Sequence, residues 1–431
     1  MAQLTLSSLR EAVASAAAFR CRTRLQPAGG PGDKVFPPTY AGALYAMEMR
    51  RVENELVRCV LMDSVQSQAN RMEEALQDAV DEGRIKIPVV DVDFSNIPVV
   101  DPDSSDEGLY EPIGRIGSLE APHRIADAIL RDSELNGVEF RKTAEGRKIT
   151  RTTTRNATSL LELCPTALVF GLWDSTGPKG GLGVKFQRAI VSEIIGVNAV
   201  TGVKTSSRID PLAIQLKSGP VYEAIGGGWT DDDSKAVKVK GKPKLVGKDG
   251  KPSEVNHGNI APSLSEIGKD ALAGDGSRMY LAGGVTIDYA EQTTVLSLPA
   301  LRRLKFPLQD NATSDREVNL AAQTALAALG ICAASLAVER GLDLRSRCLL
   351  WPSELPTWEL LGKPGTTPTK IEVDAENAIS VLNEAVAALK KAGLPWREER
   401  LTLLPSSKLV NLVRKSQQLA VQSGGGDGEE S

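Results

Sequence analysis

Residues 160–212 read LLELCPTALVFGLWDSTGPKGGLGVKFQRAIVSEIIGVNAVTGVKTSSRIDPL, and the unusual chemistry of the chain is concentrated there. The apolar run 166–173 predicts a strand. A turn with Gly177, Gly180, Gly181 and Gly183 follows, and Lys179, Lys185, Arg188, Lys204 and Arg208 stand among apolar residues around and beyond it. Glycine lacks a Cβ, so consecutive amides can turn toward an anion and the chain can approach it closely, while nearby lysines add charge. Cations without a neighbouring nucleophile suit gripping a phosphate backbone better than reacting with one. The same glycines also fit a plain flexible hairpin loop.

Named motifs do not fit the stretch. A Walker loop needs Gly, four residues, then Gly-Lys, and five residues after Gly177 stands Leu182. The dinucleotide fingerprint fails because Gly181-Leu182-Gly183 runs on into Val184, Lys185 and Phe186. A hydrolase elbow fails because Trp173, not glycine, precedes Ser175 by two.

Composition points the same way. The 431 residues suggest about two or three domains, or one with large insertions. Only His123 and His257 are available for acid–base work near neutral pH, so a non-enzyme is expected. Cys21, Cys59, Cys164, Cys332 and Cys348 are scattered without a C-x-x-C, which predicts reduced, buried thiols, no metal and a cytoplasmic setting. No signal peptide is read at the N-terminus. With a net charge of −4, any nucleic-acid contact must be a local patch. The uncharged segment 320–338 approaches the ~20 residues that span a bilayer. Its alanines, with Gln323, Thr324 and Ser335, predict a buried helix and no membrane.

Along the chain, Leu6, Leu9 and Val13 space a helix over 4–20, and Arg20, Arg22 and Arg24 alternate on a strand over 20–25. The loop 26–40, rich in proline and glycine, presents Lys34 at its tip. Val65, Ala69, Met72, Leu76 and Ala79 stripe a helix over 63–80, with Asp63 and Gln66 as a capping box. The first turns of that helix offer Gln66, Gln68, Asn70 and Arg71 beside an amide-rich N-terminus. Residues 83–106 read as a solvated acidic loop, 122–130 as a short helix opening with His123 and Arg124, and 132–155 as an exposed loop. Seven lysines between 235 and 251, with Lys238 and Lys240 alternating with valines, predict a projecting basic hairpin inside an insertion over 214–279. Strands are expected over 283–308, helices over 317–340 and 370–392, and a disordered tail from residue 423.

Three segments together resemble a known family: DSVQSQANRMEEAL at 63–76, PHRIADAIL at 122–130, and GLWDSTGPKGGLGVKFQRAIVSEIIG at 171–196 with SRIDPL at 207–212. They are similar to the backbone subunit of the type I-G (formerly I-U) CRISPR Cascade complex, a Cas-seven-type, GSU-type member of the RAMP superfamily. The likeness runs in order over residues 15–400. It implies an α+β fold, an RRM-like (ferredoxin-like) palm with large inserted finger and thumb elements. The palm would occupy 1–212 and 281–422, the basic finger-thumb insertion 213–280, and the tail 423–431.

The resemblance further implies a non-catalytic subunit that needs no cofactor. Copies of it would polymerise along a CRISPR RNA and present it to a target DNA strand. Its companions would be the other Cascade subunits, a large one and a fused Cas-five/Cas-six-type one, with a separate helicase-nuclease doing the cutting. Carried over, Gly177, Lys179, Gly180, Gly181, Gly183, Lys185 and Arg188 hold the RNA, with Gln66, Gln68, Asn70 and Arg71 as second choice and Lys238 and Lys240 on the finger or thumb; the residue pattern itself adds the cations Arg208, Arg22 and Lys34 as RNA contacts. Aromatics make up only 4% of the chain and no RNP1 octamer is present, which favours reading phosphate and shape over stacking bases. The alternative is a RAMP-type endoribonuclease that matures the guide with His123 as acid or base.

Overall fold

The computed structural model describes residues 2–41, 44–101, 107–177, 184–215, 217–264, 282–309 and 313–423. Seven strands carry its main sheet: β1 (Ala18–Pro27), β2 (Met47–Val52), β3 (Glu55–Asp63), β4 (Ile190–Val197), β5 (Tyr289–Ser297), β6 (Thr357–Leu361) and β7 (Thr369–Glu372). They lie in the order β7-β6-β1-β5-β4-β3-β2, each antiparallel to its neighbour. Short strands Ala2–Gln3, Leu342–Asp343 and Leu349–Pro352 complete the sheet at its β7 edge and beside the end of β1. Alternation sets its faces. In β5, Ala290, Gln292, Thr294 and Leu296 are buried while Tyr289, Glu291, Thr293 and Val295 are half-exposed, the period of two that a one-sided sheet requires.

Helices cover the inner face: α1 (Leu6–Ser15), α2 (Val65–Asp81), α3 (Arg316–Arg340) and α4 (Ala375–Lys391) supply the helical layer of this α+β fold, and α5 (Ser407–Ser423) lies largely exposed, tied to Tyr110, Glu111 and Asp132. α3 is the pillar. Every residue from Ala321 to Ala337 is buried, because α1, α2, α4 and β5 all pack on it. A thin, alanine-rich surface permits that close surrounding, and an apolar circumference is the mark of an interior helix. Length and composition would let α3 cross a membrane, yet its apolar stretch is almost wholly buried inside the protein. The stripes read for α1, α2 and α4 do turn inward, and the five cysteines are free and buried.

A second, smaller core lies at the far end of the same face, where Leu25, Val60, Met62, Ile194, Ala290 and Leu350 meet. Between the two cores runs a buried polar band. Gln68 donates to Asp63 (2.6 Å) and accepts from Ser192 Oγ (2.9 Å) and Gln292 Nε2 (2.7 Å), and Ser192 shares a hydrogen bond with Thr294 (2.8 Å).

Several local expectations are corrected. Residues 166–173 are not one strand: Thr166–Val169 is a helical turn and only Leu172–Trp173 is extended. A short apolar run does not distinguish a buried turn from a buried strand. Asp63 is the last residue of β3 and fully buried; the N-cap is Ser64, which accepts from the Ser67 amide (3.2 Å). Residues 122–130 split into a 3₁₀ turn, Arg124–Ala126, and the single turn Ala128–Arg131. Val90–Asp93 is a strand of a second sheet with Asp91 buried, so the acidic stretch is not simply a solvated loop. The stretch 132–155 holds two strands and the helix Ala144–Thr150. After β5 the chain turns helical at Leu298–Arg302, and residues 370–372 belong to β7, not to α4. Residues 424–431, the greater part of the expected tail, lie outside the described residues.

Beyond the sheet, β4 and β5 continue as a ribbon: Val200–Val203 pairs with Ala282–Thr286, and Thr205–Arg208 with Ile260–Leu264. The insertion rides on this arm. Within it Lys238–Val239 pairs with Lys242–Pro243, and Lys240 and Gly241 turn the chain at φ 51° and 78°. The basic hairpin is therefore present, with two residues to a strand.

Candidate functional site

The glycine turn is mounted on a buried clamp. Arg124, with φ 52° and almost no exposure, aims its guanidinium at Glu73 of α2, Nε to Oε1 at 2.7 Å and Nη2 to Oε2 at 2.6 Å. Its remaining Nη1 donates to the Gly171 carbonyl (3.0 Å), and its plane lies 5.6 Å from the Phe170 ring centroid. Burial pushes the Glu73 carboxyl up to about 7, against the opposing pull of Arg124 and, more weakly, Arg188. Gly171 itself has φ 90°, and a Cβ there would stand 3.1 Å from Arg188 Cγ and from the Phe186 carbonyl oxygen. Only glycine lets the two strands of the mount close on each other.

From this clamp the chain runs outward as Leu172–Trp173 and returns as Lys185–Phe186, with Trp173 opposite Lys185. The alternation leaves Leu172 and Phe186 buried and puts Trp173, 56% exposed, under the Lys185 ammonium, 4.8 Å from the ring centroid. Asp174 is buried; it accepts from Arg141 (2.9 Å) and from the Thr176 amide (3.2 Å), closing the first bend. A side chain on Gly177 would reach within 2.9 Å of the Asp174 carboxylate. Lys179, Gly180, Gly181 and Gly183 lie outside the described residues. Both flanks of the turn are thus fixed, and Lys185, Gln187 and Arg188 stand exposed beside it, with Arg303 joined on by a hydrogen bond to Gln187 (3.2 Å).

The other expected contacts are dispersed. Gln66 and Asn70 are exposed on α2, but Gln68 is sealed in the polar band, a correction to its placement at a nucleic-acid surface. Arg71 is half-buried and spends its donors on Asp63 (3.0 Å) and on the carbonyls of Asp343 and Leu344. Arg208 pins the arm by donating to Gly258 O (2.9 Å), His257 O (2.6 Å) and Asn256 Oδ1 (3.4 Å). Lys34 does not stand at a loop tip: its stem crosses the ribbon backbone, where a Cβ on Gly202 or Gly284 would collide with it. Residues 26–40 are partly regular too, through a bridge from Val35 to Val285. Lys238 and Lys240 are exposed on the arm.

Arg22 lies with Arg20 and Arg24 on the sheet face away from the helices. Arg22 pairs with Glu291 (2.7 Å), Arg20 with Glu359 (2.7 Å), and Arg50 with Glu193 (2.6 Å) and Glu48. Arg24 stacks 4.0 Å from the centroid of Tyr289. That face therefore carries largely balanced charge. His123 is exposed; its backbone amide donates to Asp127 (3.1 Å) and its carbonyl accepts from the Ala126 amide (3.0 Å). Among the described residues no group of His, Cys, Asp and Glu is arranged to hold a metal ion.

Sequence reasoning missed Trp173, Arg141, Arg303 and the Glu73–Arg124 pair. Trp173 carried a signal, a large aromatic ending an apolar run beside glycines; the pairing of Arg124 with Glu73 carried none.

Residues 19–201 match the model of the family described as CRISPR-associated protein GSU0053 (Cas_GSU0053). The match supports a CRISPR-associated protein. It takes in β1 to β4, α2, the clamp and the glycine turn, while the arm beyond residue 201 and α3 to α5 lie outside it. No curated protein matches the chain.

Proposed function

We propose that this chain is a non-catalytic CRISPR RNA-binding subunit of a type I-G Cascade complex, polymerising along the guide and presenting its bases to a target DNA strand. The observation that carries the reading is that the Arg124–Glu73 clamp and the paired strands Leu172–Trp173 and Lys185–Phe186 hold both flanks of the glycine-rich stretch, with Lys185 and Arg188 exposed, inside the segment similar to a CRISPR-associated family. Cations and backbone amides without an adjacent nucleophile hold a phosphate chain and leave base edges free to pair.

The strand order supports an RRM-like palm. Taking β1, α2, β4, β5, α3 and β6 in chain order gives the βαββαβ sequence, and their order in the sheet, β6-β1-β5-β4, is the ferredoxin-like one. The β2–β3 hairpin extends it and the arm leaves from the β4–β5 connection. With a net charge of −4 over the whole chain, the surface outside one basic groove would be acidic and would suppress indiscriminate nucleic-acid binding.

Expression with its operon and a repeat array tests the proposal. The protein should copurify with RNA of one discrete length and with further copies of itself; recovery free of RNA, at a single copy, contradicts it.

A further inference from the structure

A cavity of about 440 Å³, unrelated to the glycine turn, opens between the inner face of β1 and β5, the C-terminal half of α3 and the start of α4. That volume is in the range of ~300–1,000 Å³ typical of small-ligand sites. Its walls are made by Ala334, Val338, Leu355 and Trp358, and its polar floor by Thr23 and Thr294. Two buried polar atoms facing it have no hydrogen-bond partner: Ser335 Oγ, on a side chain only 8% exposed, and Asn377 Oδ1. Leaving such groups dry and unpaired costs about 1–3 kcal/mol each, so a polar occupant is favoured.

The rim decides the sign of that occupant. Glu339, Glu372, Asp374 and Glu376 line the cavity, and no Lys, Arg or His does among the described residues. Arg84 reaches Glu339 from outside (3.0 Å), leaving the acidic surplus in place. The α4 N-terminus does not recruit an anion, because Asp374 already accepts from the Asn377 amide (2.8 Å).

We propose that this cavity binds an organic cation, a guanidinium or primary ammonium on a short apolar stem. The stem lies along Val338, Leu355 and Trp358, and the head donates to Asn377 Oδ1 and Ser335 Oγ beneath the acidic rim. Two sources carry that chemistry, a free small cation and an arginine or lysine side chain of a neighbouring copy of this chain.

Calorimetry of the intact protein with n-butylguanidinium and its neutral isostere n-butylurea tests the assignment. The guanidinium should bind roughly tenfold or more tightly, the value of one or two charge-assisted contacts. Glu372→Gln with Glu376→Gln, both outside the core, should abolish that preference while circular dichroism stays unchanged. Equal binding of the urea, or no binding of either probe to the wild type, overturns the proposal. Sedimentation with saturating n-butylguanidinium separates the sources: a fall in mass assigns the pocket to a neighbouring copy's side chain, and an unchanged mass assigns it to a free cation.

Discussion

Arg124 and Glu73 form a two-pronged ion pair that is almost wholly enclosed, with side-chain exposures of 10% and 3%, and the same guanidinium holds the Gly171 carbonyl. One buried group therefore ties helix α2 to the mount of the glycine turn. Breaking such a pair from one side leaves an unpaired buried charge. Arg124→Met should lower stability by ~3–5 kcal/mol in urea unfolding, whereas Arg124→Met with Glu73→Leu should recover most of it. Equal losses in the single and double variants would show that packing and not charge governs the site.

The same pair gives stability a pH dependence of defined sign. Burial moves the Glu73 carboxyl from 4.5 to about 7, so between those values the folded state holds more protons than the unfolded one. Its contribution is greatest below the unfolded value, declines as pH rises toward 7 and is level above. The wild-type stability minus that of Glu73→Gln, measured by chemical denaturation from pH 5 to 8, should fall and then flatten. A difference that rises across this window refutes the assignment.

Gly171→Ala should be costly beyond its size. At φ 90° any side chain is strained, and this Cβ would press on Arg188 and on the Phe186 carbonyl. About 1–3 kcal/mol of stability should be lost, and RNA affinity should fall because Arg188 and the turn shift together. Gly83→Ala, at φ 74° with open space around it, is the control: strain of similar kind with no effect on RNA.

Gln68→Leu removes three hydrogen bonds from the buried band and orphans Asp63, Ser192 and Gln292 in part. Its stability should fall by ~1–3 kcal/mol, while RNA affinity, measured on the folded fraction by fluorescence anisotropy, should not change. A selective loss of affinity would return Gln68 to the binding surface.

The long, periodic elements were legible in the sequence. β1 and β5 alternate, α2 and α4 are striped, and α3 is an unbroken apolar run, because each buries one face or all of its surface on a shared core. What escaped was what depends on tertiary partners. Asp63 and Ser64 are adjacent and both suit an N-cap; Gln68 and Arg71 claimed the aspartate, so the serine became the cap. Asp91 looked like a solvated acid until a strand buried it beside Arg400, at 3.6 Å and far along the chain. At the candidate site Lys185 and Arg188 were legible from charge beside glycine. Arg208 and Arg71 looked equivalent to them, and their hydrogen bonds to carbonyls brought close by the fold were not legible.

The central claim, that Lys185 and Arg188 grip an RNA backbone beside the glycine turn, is tested most directly by the salt dependence of RNA binding. Both residues are exposed, so Lys185→Glu with Arg188→Glu should still fold cooperatively, with stability lowered because Arg188 acts on the buried Glu73 carboxyl. Affinity for single-stranded repeat RNA should drop for every sequence tried, and the slope of log K against log salt should shrink by about 0.7 for each phosphate the protein no longer neutralises. An unchanged affinity and slope in a folded double variant would remove the turn from the RNA site and contradict the account.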